Sequence, residues 1–545
     1  MKYTKFKKID IENRTWPDAV ITKAPIWCSV DLRDGNQALI KPMTLDKKVE
    51  FFKLLVGMGF KEIEVGFPSA SEIEYEFTRH LIENDLIPDD VTIQILTQAR
   101  EHLIKKSAES LRGAKNVIVH LYNSTSTNQR EIVFKKSQKE IIDIALQGVS
   151  WIKEYFDGFE GNVGFEYSPE SFTQTELEFA RDICNAVVEA WNPVRDEKVI
   201  LNLPATVESS TPNIYADQIE WMCRQIKRRE NVVISLHAHN DRGTAIAATE
   251  LALMAGADRV EGTLLGNGER TGNVDIITLG LNMYTQGVDP KLDFSDVDKI
   301  VKTVERINEI STNVRHPYVG YLVYTAFSGS HQDAIKKGIE FQKDIESWRV
   351  PYLPIDPKDV GRNYESIIRI NSQSGKGGVS YILNTNYGYK IPKTMEPIVG
   401  KVIQKQSEKV DGVLSEEQIV NIFEKQFVNR DDYYCLHDFK IEIDDKNSSV
   451  EGEFCIGEEK HFQKINAGGI IDAVSNGFKE LGLEFKIVEY FEHALSDGSD
   501  AKAAAYFSVI SHGKRYYGVG VGDNISYSSI NALISTLNIA YAGQD

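Results

Sequence analysis

A chain of 545 residues is too long for one ordinary core, so two or three domains are expected. Its 42% hydrophobic and 26% charged residues are those of a soluble globular protein, and a net charge of −18 argues against the basic face that a nucleic-acid binder needs, though not against small anions held by local Arg or Lys. The opening "MKYTKFKKIDIENRTW" has no apolar run of the signal-peptide kind and no later run reaches transmembrane length, so a cytoplasmic location without membrane contact is expected.

The first 280 residues or so repeat a short apolar run, a polar tip and a helical stretch. The runs are "APIWCSVDLRDG", "KEIEVGFPSAS", "VTIQILTQAR", "NVIVHLYNSTS", "NVGFEYSPES", "VILNLPATVES", "NVVISLHAHND" and "DRVEGTLLGNGE". Their tips lie 23 residues (Thr97 to His120) to 46 residues (His120 to Glu166) apart, room for one crossover helix each. In "TLDKKVEFFKLLVGMG", Leu45, Val49, Phe52 and Leu55 form one stripe, with Thr44 as N-cap and Gly57 and Gly59 closing the helix. Eight such units predict an α/β fold, a (β/α)8 TIM barrel over 1–315 with a short N-terminal extension. The alternative is a doubly wound open sheet, but no GxGxxG follows the first strand.

Beyond the barrel, "DFSDVDKIVKTVERINEIS" predicts a helix with Phe294, Val297, Val301, Val304 and Ile307 on one face. In "FSGSHQDAIKKGIEF", Ser330 reads as an N-cap with Asp333 three residues on, which puts His331 at the first helical position. A helix N-terminus disfavours a second positive charge, so this imidazole should stay neutral and able to accept a proton. A mostly helical linker region is expected over 316–430, including a Pro- and Gly-rich connector, "SWRVPYLPIDPKDVGRNYESIIRINSQSGKGG", that keeps enough apolar residues to be ordered. Over 431–545 the strands "DDYYCLHDFKIEI", "SVEGEFCIGEEK", "FKIVEYFEHAL" and "KRYYGVGVG" and the helices "GGIIDAVSNGFKEL" and "SYSSINALISTLNIAY" predict a separate α+β unit, with strand, turn and helix occurring twice. The five cysteines form no CxxC pair and read as reduced thiols.

In a barrel, all the C-terminal strand ends share one rim, where chemistry sits. His237 and His239, two apart in "LHAHND", project to one side of a strand. Asp34, past strand one, is next but one around the closed ring. One carboxylate and two imidazoles suit a divalent cation, to which Asn273 can add a carbonyl oxygen. Arg33 offers a planar fork for a carboxylate or a developing oxyanion. Ser168 and Thr206 can hydrogen-bond a substrate carboxylate, while Glu170 is either an acid behind the site or a solvated loop residue. An α-keto acid, chelating one cation through its keto and carboxylate oxygens, fits such a rim.

"DLRDGNQAL", "HLYNSTS", "LHAHNDRGTA" and "GNGERTGNVD" resemble the signature stretches of the α-isopropylmalate synthase family, in its long form with a C-terminal regulatory domain. The resemblance runs from about residue 16 to the end. It implies a transferase of leucine biosynthesis, which condenses acetyl-CoA with 3-methyl-2-oxobutanoate to give (2S)-2-isopropylmalate and CoA. It makes Asp34, His237, His239 and Asn273 the ligands of a divalent metal ion, Mg2+ or Mn2+ with Zn2+ as an alternative. Arg33 would stabilise the keto oxygen; His120, Ser168 and Thr206 would hold the keto acid; Leu96 and Tyr122 would line the pocket for its branched tail. Glu170 would orient the reacting groups or a water, His331 would be the base, Tyr364 would assist, and Gly266 to Asn273 would sit near the CoA. It also implies a homodimer and leucine as feedback effector, although Asn466 to Gly469 depart from the family's Gly-Asn-Gly-Pro run. The rivals are synthases using pyruvate or 2-oxoglutarate, a lyase on the same metal, a metal hydrolase, and an amino-acid sensor on a dead barrel.

Overall fold

The computed structural model describes residues 6–194, 197–320, 322–326, 328–343, 345–362, 376–407, 414–444, 447–495 and 501–543. The chain divides into two compact units, 1–323 with 357–362, and 324–356 with 363–545. Among the described residues, no helix is long and apolar enough to cross a membrane.

The first unit is a closed barrel in the order β1 to β8. Its strands and helices alternate as β1 (Ile26–Ser29), α1 (Leu45–Met58), β2 (Glu62–Gly66), α2 (Glu72–Glu83), β3 (Thr92–Gln98), α3 (Glu101–Leu111), β4 (Asn116–Ser124) and α4 (Gln138–Tyr155). They continue as β5 (Asn162–Glu170), α5 (Leu177–Trp191), β6 (Val199–Ala205), α6 (Pro212–Gln225), β7 (Val232–Ala238), α7 (Ala245–Met254), β8 (Arg259–Gly262) and α8 (Ile276–Tyr284). Each neighbouring pair is parallel, and β1 closes on β8 with Cys28 opposite Glu261. The open-sheet alternative is thereby excluded.

Thr44 stands at the N-cap position of α1 without a side-chain capping bond, and the helix ends at Gly59, whose φ of +100° a side chain would oppose. Its buried stripe differs from the expected one: Lys48, Phe51, Phe52, Leu55 and Met58 face inward, and Leu45 and Val49 are half-buried. Lys48 is tolerated there because its ammonium donates to the Leu32 carbonyl at 2.9 Å and to Glu74 at 2.6 Å. α9 (Val297–Asn308) buries Val297, Ile300, Val304 and Ile307, with Ile300 taking the place expected of Val301.

In the second unit, α10 (Gly329–Gln342) begins two residues earlier than expected: Ser328, not Ser330, is the N-cap, and His331 is the third helical residue. The capping-box reading fails because Ser330 already lies inside the helix; Asp333 pairs instead with Lys337 one turn on, at 2.6 Å. α11 (Lys376–Tyr387), α12 (Glu396–Ser407) and α13 (Glu416–Phe427) pack Leu383, Met395, Val399, Ile403 and Phe423 into one apolar cluster. Two three-stranded antiparallel sheets follow, each closed by a helix. They are β9 (Tyr434–Ile443), β10 (Ser448–Ile456), β11 (Glu459–Ala467) and α14 (Ile470–Glu480), then β12 (Lys486–Ala494), β13 (Ala503–Ser511), β14 (Lys514–Gly522) and α15 (Ile525–Ala542). The duplication hinted at by the sequence is therefore a repeat of three strands and a helix. Among the cysteines, Cys435 and Cys455 depart from the reduced reading: the β9–β10 register sets them face to face and they form a disulfide, while Cys28, Cys184 and Cys223 are free.

Candidate active site and metal centre

β7 carries His237, and His239 follows one residue past its end, where it bridges to Asn273. Asp34 sits in a wide turn, Asp31–Gly35, that leaves β1. Asp34 Oδ2 is 3.3 Å from His237 Nε2 and 3.4 Å from His239 Nε2, and the two Nε2 atoms are 3.3 Å apart. All three residues are buried. Asn273 Nδ2 donates to Asp34 Oδ2 at 2.8 Å, while its Oδ1 is buried without a hydrogen-bond partner. Gly272 makes that placement: its φ is +90°, and a Cβ there would stand 1.9 Å from the Gly266 carbonyl.

These residues fit a divalent cation on three counts. Ligands about 2.0–2.2 Å from one ion stand roughly 3.0–3.4 Å from each other, which the triad matches. The Asn273 amide bonds Asp34 through its nitrogen and keeps a buried, unpartnered Oδ1, an acceptor in reserve next to the triad residue. The third count is charge. Inside the barrel, Asp34, Glu62, Glu64, Glu166 and Glu261 are five carboxyl groups against two guanidiniums, Arg33 and Arg259, and burial raises Glu166 well above the usual range. Burial works to lower His237, but its hydrogen bonds to Asp34 and Glu261 outweigh that and raise it to about 9. The protonated ring is thus the counter-charge that a bound cation would replace. Burial alone would raise Asp34; the Arg33 guanidinium and the two imidazoles hold its carboxyl well below the usual range. His239 is pushed down, first by burial, and its Nδ1 accepts from Arg270 Nη2 at 2.7 Å. An ion at His239 Nε2 therefore displaces the proton which that nitrogen carries in this arrangement.

The triad opens into a cavity of about 310 Å3, also lined by Arg33, Leu96, His120, Tyr122, Ser168, Glu170 and Thr206. Arg33 is clamped between Asp34, at 3.1 Å, and Glu64. His120 spans Glu64, at 2.8 Å through Nδ1, and Ser168, at 2.7 Å through Nε2. Glu170 accepts from the Ser124 hydroxyl, and Thr206 Oγ1 accepts from the Ser171 amide at 2.9 Å. Gln98 donates to the Tyr122 hydroxyl at 2.7 Å.

Residues 24–304 match the HMGL-like family, residues 321–384 the alpha-isopropylmalate synthase post-catalytic domain-like family, and residues 413–541 the LeuA allosteric (dimerisation) domain. A 2-isopropylmalate synthase of Clostridium acetobutylicum is 54% identical, with 98% of each chain covered. Enzymes of the same name from Acetoanaerobium sticklandii (98% of this chain, 96% of that one) and Pseudomonas putida (100% and 98%) are 53% and 52% identical. The chain belongs to the 2-isopropylmalate synthase family.

Of the residues that the family resemblance named one by one, ten line the cavity and Asn273 adjoins Asp34; from the loop Gly266 to Asn273, Glu269 and Arg270 line it too. His331 is exposed on α10, its ring stacked on Tyr352 at 4.0 Å, and belongs to the second unit. Tyr364 lies outside the described residues. Sequence reasoning missed the polar layer beneath the triad. Glu261 Oε2 bonds His237 Nδ1 at 2.8 Å, and Arg259 Nη1 bonds Glu261 Oε1 at 2.8 Å. Asn202 joins Ser168, at 3.0 Å, to Glu261, at 3.2 Å. Glu166 is fully buried beside Arg259, and burial raises its carboxyl well above the usual range. Glu64, His120 and Glu261 also cluster closely enough to hold an ion, but Arg33 and Arg259 already occupy their carboxylates.

Within this 2-isopropylmalate synthase family member, Glu261 fixes which nitrogen of His237 faces the triad. Glu261→Gln is expected to weaken Mn2+ binding about 10- to 100-fold, the usual effect of losing a carboxylate behind a ligating imidazole. Titration calorimetry measures it, and unchanged affinity would remove Glu261 from this role.

Proposed function

We propose that the chain is a 2-isopropylmalate synthase that condenses acetyl-CoA with 3-methyl-2-oxobutanoate, hydrolyses the thioester and releases (2S)-2-isopropylmalate and CoA, the committed step towards leucine. The observation that carries this reading is the Asp34, His237 and His239 cluster in the barrel mouth. A divalent ion held there, Mg2+ or Mn2+ with Zn2+ as an alternative, supplies Lewis-acid polarisation of the keto oxygen.

The protein's own groups do the rest. Arg33, itself largely buried, donates hydrogen bonds to the keto oxygen as negative charge develops on it. Ser168, Thr206 and His120 hold the keto acid, and Leu96 and Tyr122 contact its isopropyl group. His331 removes the proton from the acetyl methyl group, Tyr364 assists, and Glu170 orients the water that cleaves the thioester. The loop Gly266 to Asn273 approaches the CoA.

Three segments divide the work: a catalytic barrel over 1–315, linker subdomains over 316–430, and a regulatory, dimer-forming domain over 431–545. The enzyme acts as a cytoplasmic homodimer in which the linker of one subunit, with His331 and Tyr364, serves the barrel of its partner. Leucine is the feedback effector. The match of residues 413–541 to an allosteric (dimerisation) domain supports that assignment.

The test follows CoA release from acetyl-CoA with 3-methyl-2-oxobutanoate, pyruvate and 2-oxoglutarate as alternative acceptors, with and without leucine. The branched acid should be the best acceptor, and millimolar leucine should lower the rate. A stronger response to either other acid would reassign the substrate. Indifference to leucine would remove the effector.

A further inference from the structure

Across β9 and β10, Cys435 stands opposite Cys455 and His437 opposite Glu453. The pair between them, Leu436 and Phe454, points into the apolar core under α14 and α15. Strand side chains alternate between faces, so two adjacent cross-strand pairs of metal-capable side chains share the other face. The two Sγ atoms and an imidazole nitrogen all lie within 4.8 Å of one another. Both cysteines are nearly buried, at 9% and 2% exposure, whereas His437 is exposed. Glu453 Oε2 is held by Lys460 Nζ at 2.9 Å.

We propose that in its reduced form this face binds one thiophilic divalent cation of the zinc class through Cys435, Cys455 and His437. The fourth position is open to Glu453 or a water. Two thiolates and an imidazole prefer borderline-soft ions in tetrahedral geometry over Mg2+ or Ca2+. Reduction leaves two thiols facing each other at a Cα separation of 4.9 Å, held there by the strand ladder. A cation neutralises both thiolates at once, and an antiparallel ladder already in register brings the ligands together without further ordering. The ion and the disulfide exclude each other, because both use the same sulfurs. With an added small-molecule disulfide as oxidant, the two protein thiolates form the Cys435–Cys455 bond. The added disulfide takes two electrons and two protons to become two thiols, and the cation is released.

This site differs in kind from the Asp34 centre, which has no sulfur ligand. The remaining free cysteines, Cys28, Cys184 and Cys223, belong to none of the three-residue metal-capable clusters among the described residues. The full-length protein, reduced with a non-chelating phosphine, is titrated with Co2+ as the zinc surrogate. One equivalent should produce the ultraviolet sulfur-to-cobalt charge-transfer band that only thiolate ligation gives. Asp34→Asn should retain the band, Cys435→Ser and Cys455→Ser should each remove it, and His437→Ala should weaken Co2+ binding by more than about tenfold. Adding oxidised glutathione should abolish the band. Reduced wild-type protein without the band, or a band that survives both serine variants, overturns the assignment.

Discussion

Asp34→Asn is expected to reduce CoA release by about 1,000-fold or more and to abolish tight Mn2+ binding, and exhaustive chelation of the wild type should do the same. The magnitude follows from the several kcal/mol that a Lewis acid contributes to charge stabilisation, at about 1.4 kcal/mol per tenfold in rate. The substitution is nearly isosteric, and Glu64 remains as a partner for Arg33, so the barrel should stay folded. What changes is charge: Asp34 Oδ2 is the oxygen that both Nε2 atoms face. Circular dichroism checks the fold, calorimetry the ion, and a CoA-thiol assay the rate. Near-normal turnover in a thoroughly chelated sample would refute the metal-dependent reading.

His331→Ala should lower kcat by about 100- to 10,000-fold, the range expected for loss of a positioned general base. The KM for the keto acid should change by no more than a few fold, since the groups proposed to hold that substrate are in the barrel. The variant is informative because His331 is exposed on α10 and stacked on Tyr352, so truncation should cost little stability, about 0.5 kcal/mol or less. A rate loss without a drop in melting temperature therefore reports chemistry. A variant that turns over normally would remove His331 from the base role.

The barrel was readable in the sequence because parallel strands are buried on both faces. They appear as short, mostly apolar and β-branched runs that end in polar tips. The triad was readable because His237 and His239 keep strand spacing and because Asp34 follows the first strand, two places round the ring. The layer beneath it was not. Glu64 in "EIEVG", Gln94 in "TIQIL" and Glu261 in "RVEG" look like the solvent-facing positions of ordinary strands. Only closure of the sheet turns them inward, where Arg259 binds Glu62, Glu261, Ser235 and Gln94 at 2.6 to 2.8 Å. β13, with its "AAAY" start, reads poorly as a strand because alanine favours helix, and β11 is mostly polar. Two serines flank Gly329, and composition does not decide which of them caps α10. The pairing of Cys435 with Cys455 needed the antiparallel register, which periodicity along one strand does not contain.

The charged layer inside the barrel has a consequence for how long the protein lasts. In the mouth, Asp34, Glu64 and Glu261 face Arg33, Arg259 and the proton on His237, and a bound cation takes over the place of that proton. A cation that binds the native state and ignores the unfolded one adds about 2.7 kcal/mol of stability at a hundredfold excess over its dissociation constant. Divalent-ion starvation would then act twice on this chain: it idles the enzyme, and it shortens the survival of each molecule against proteolysis.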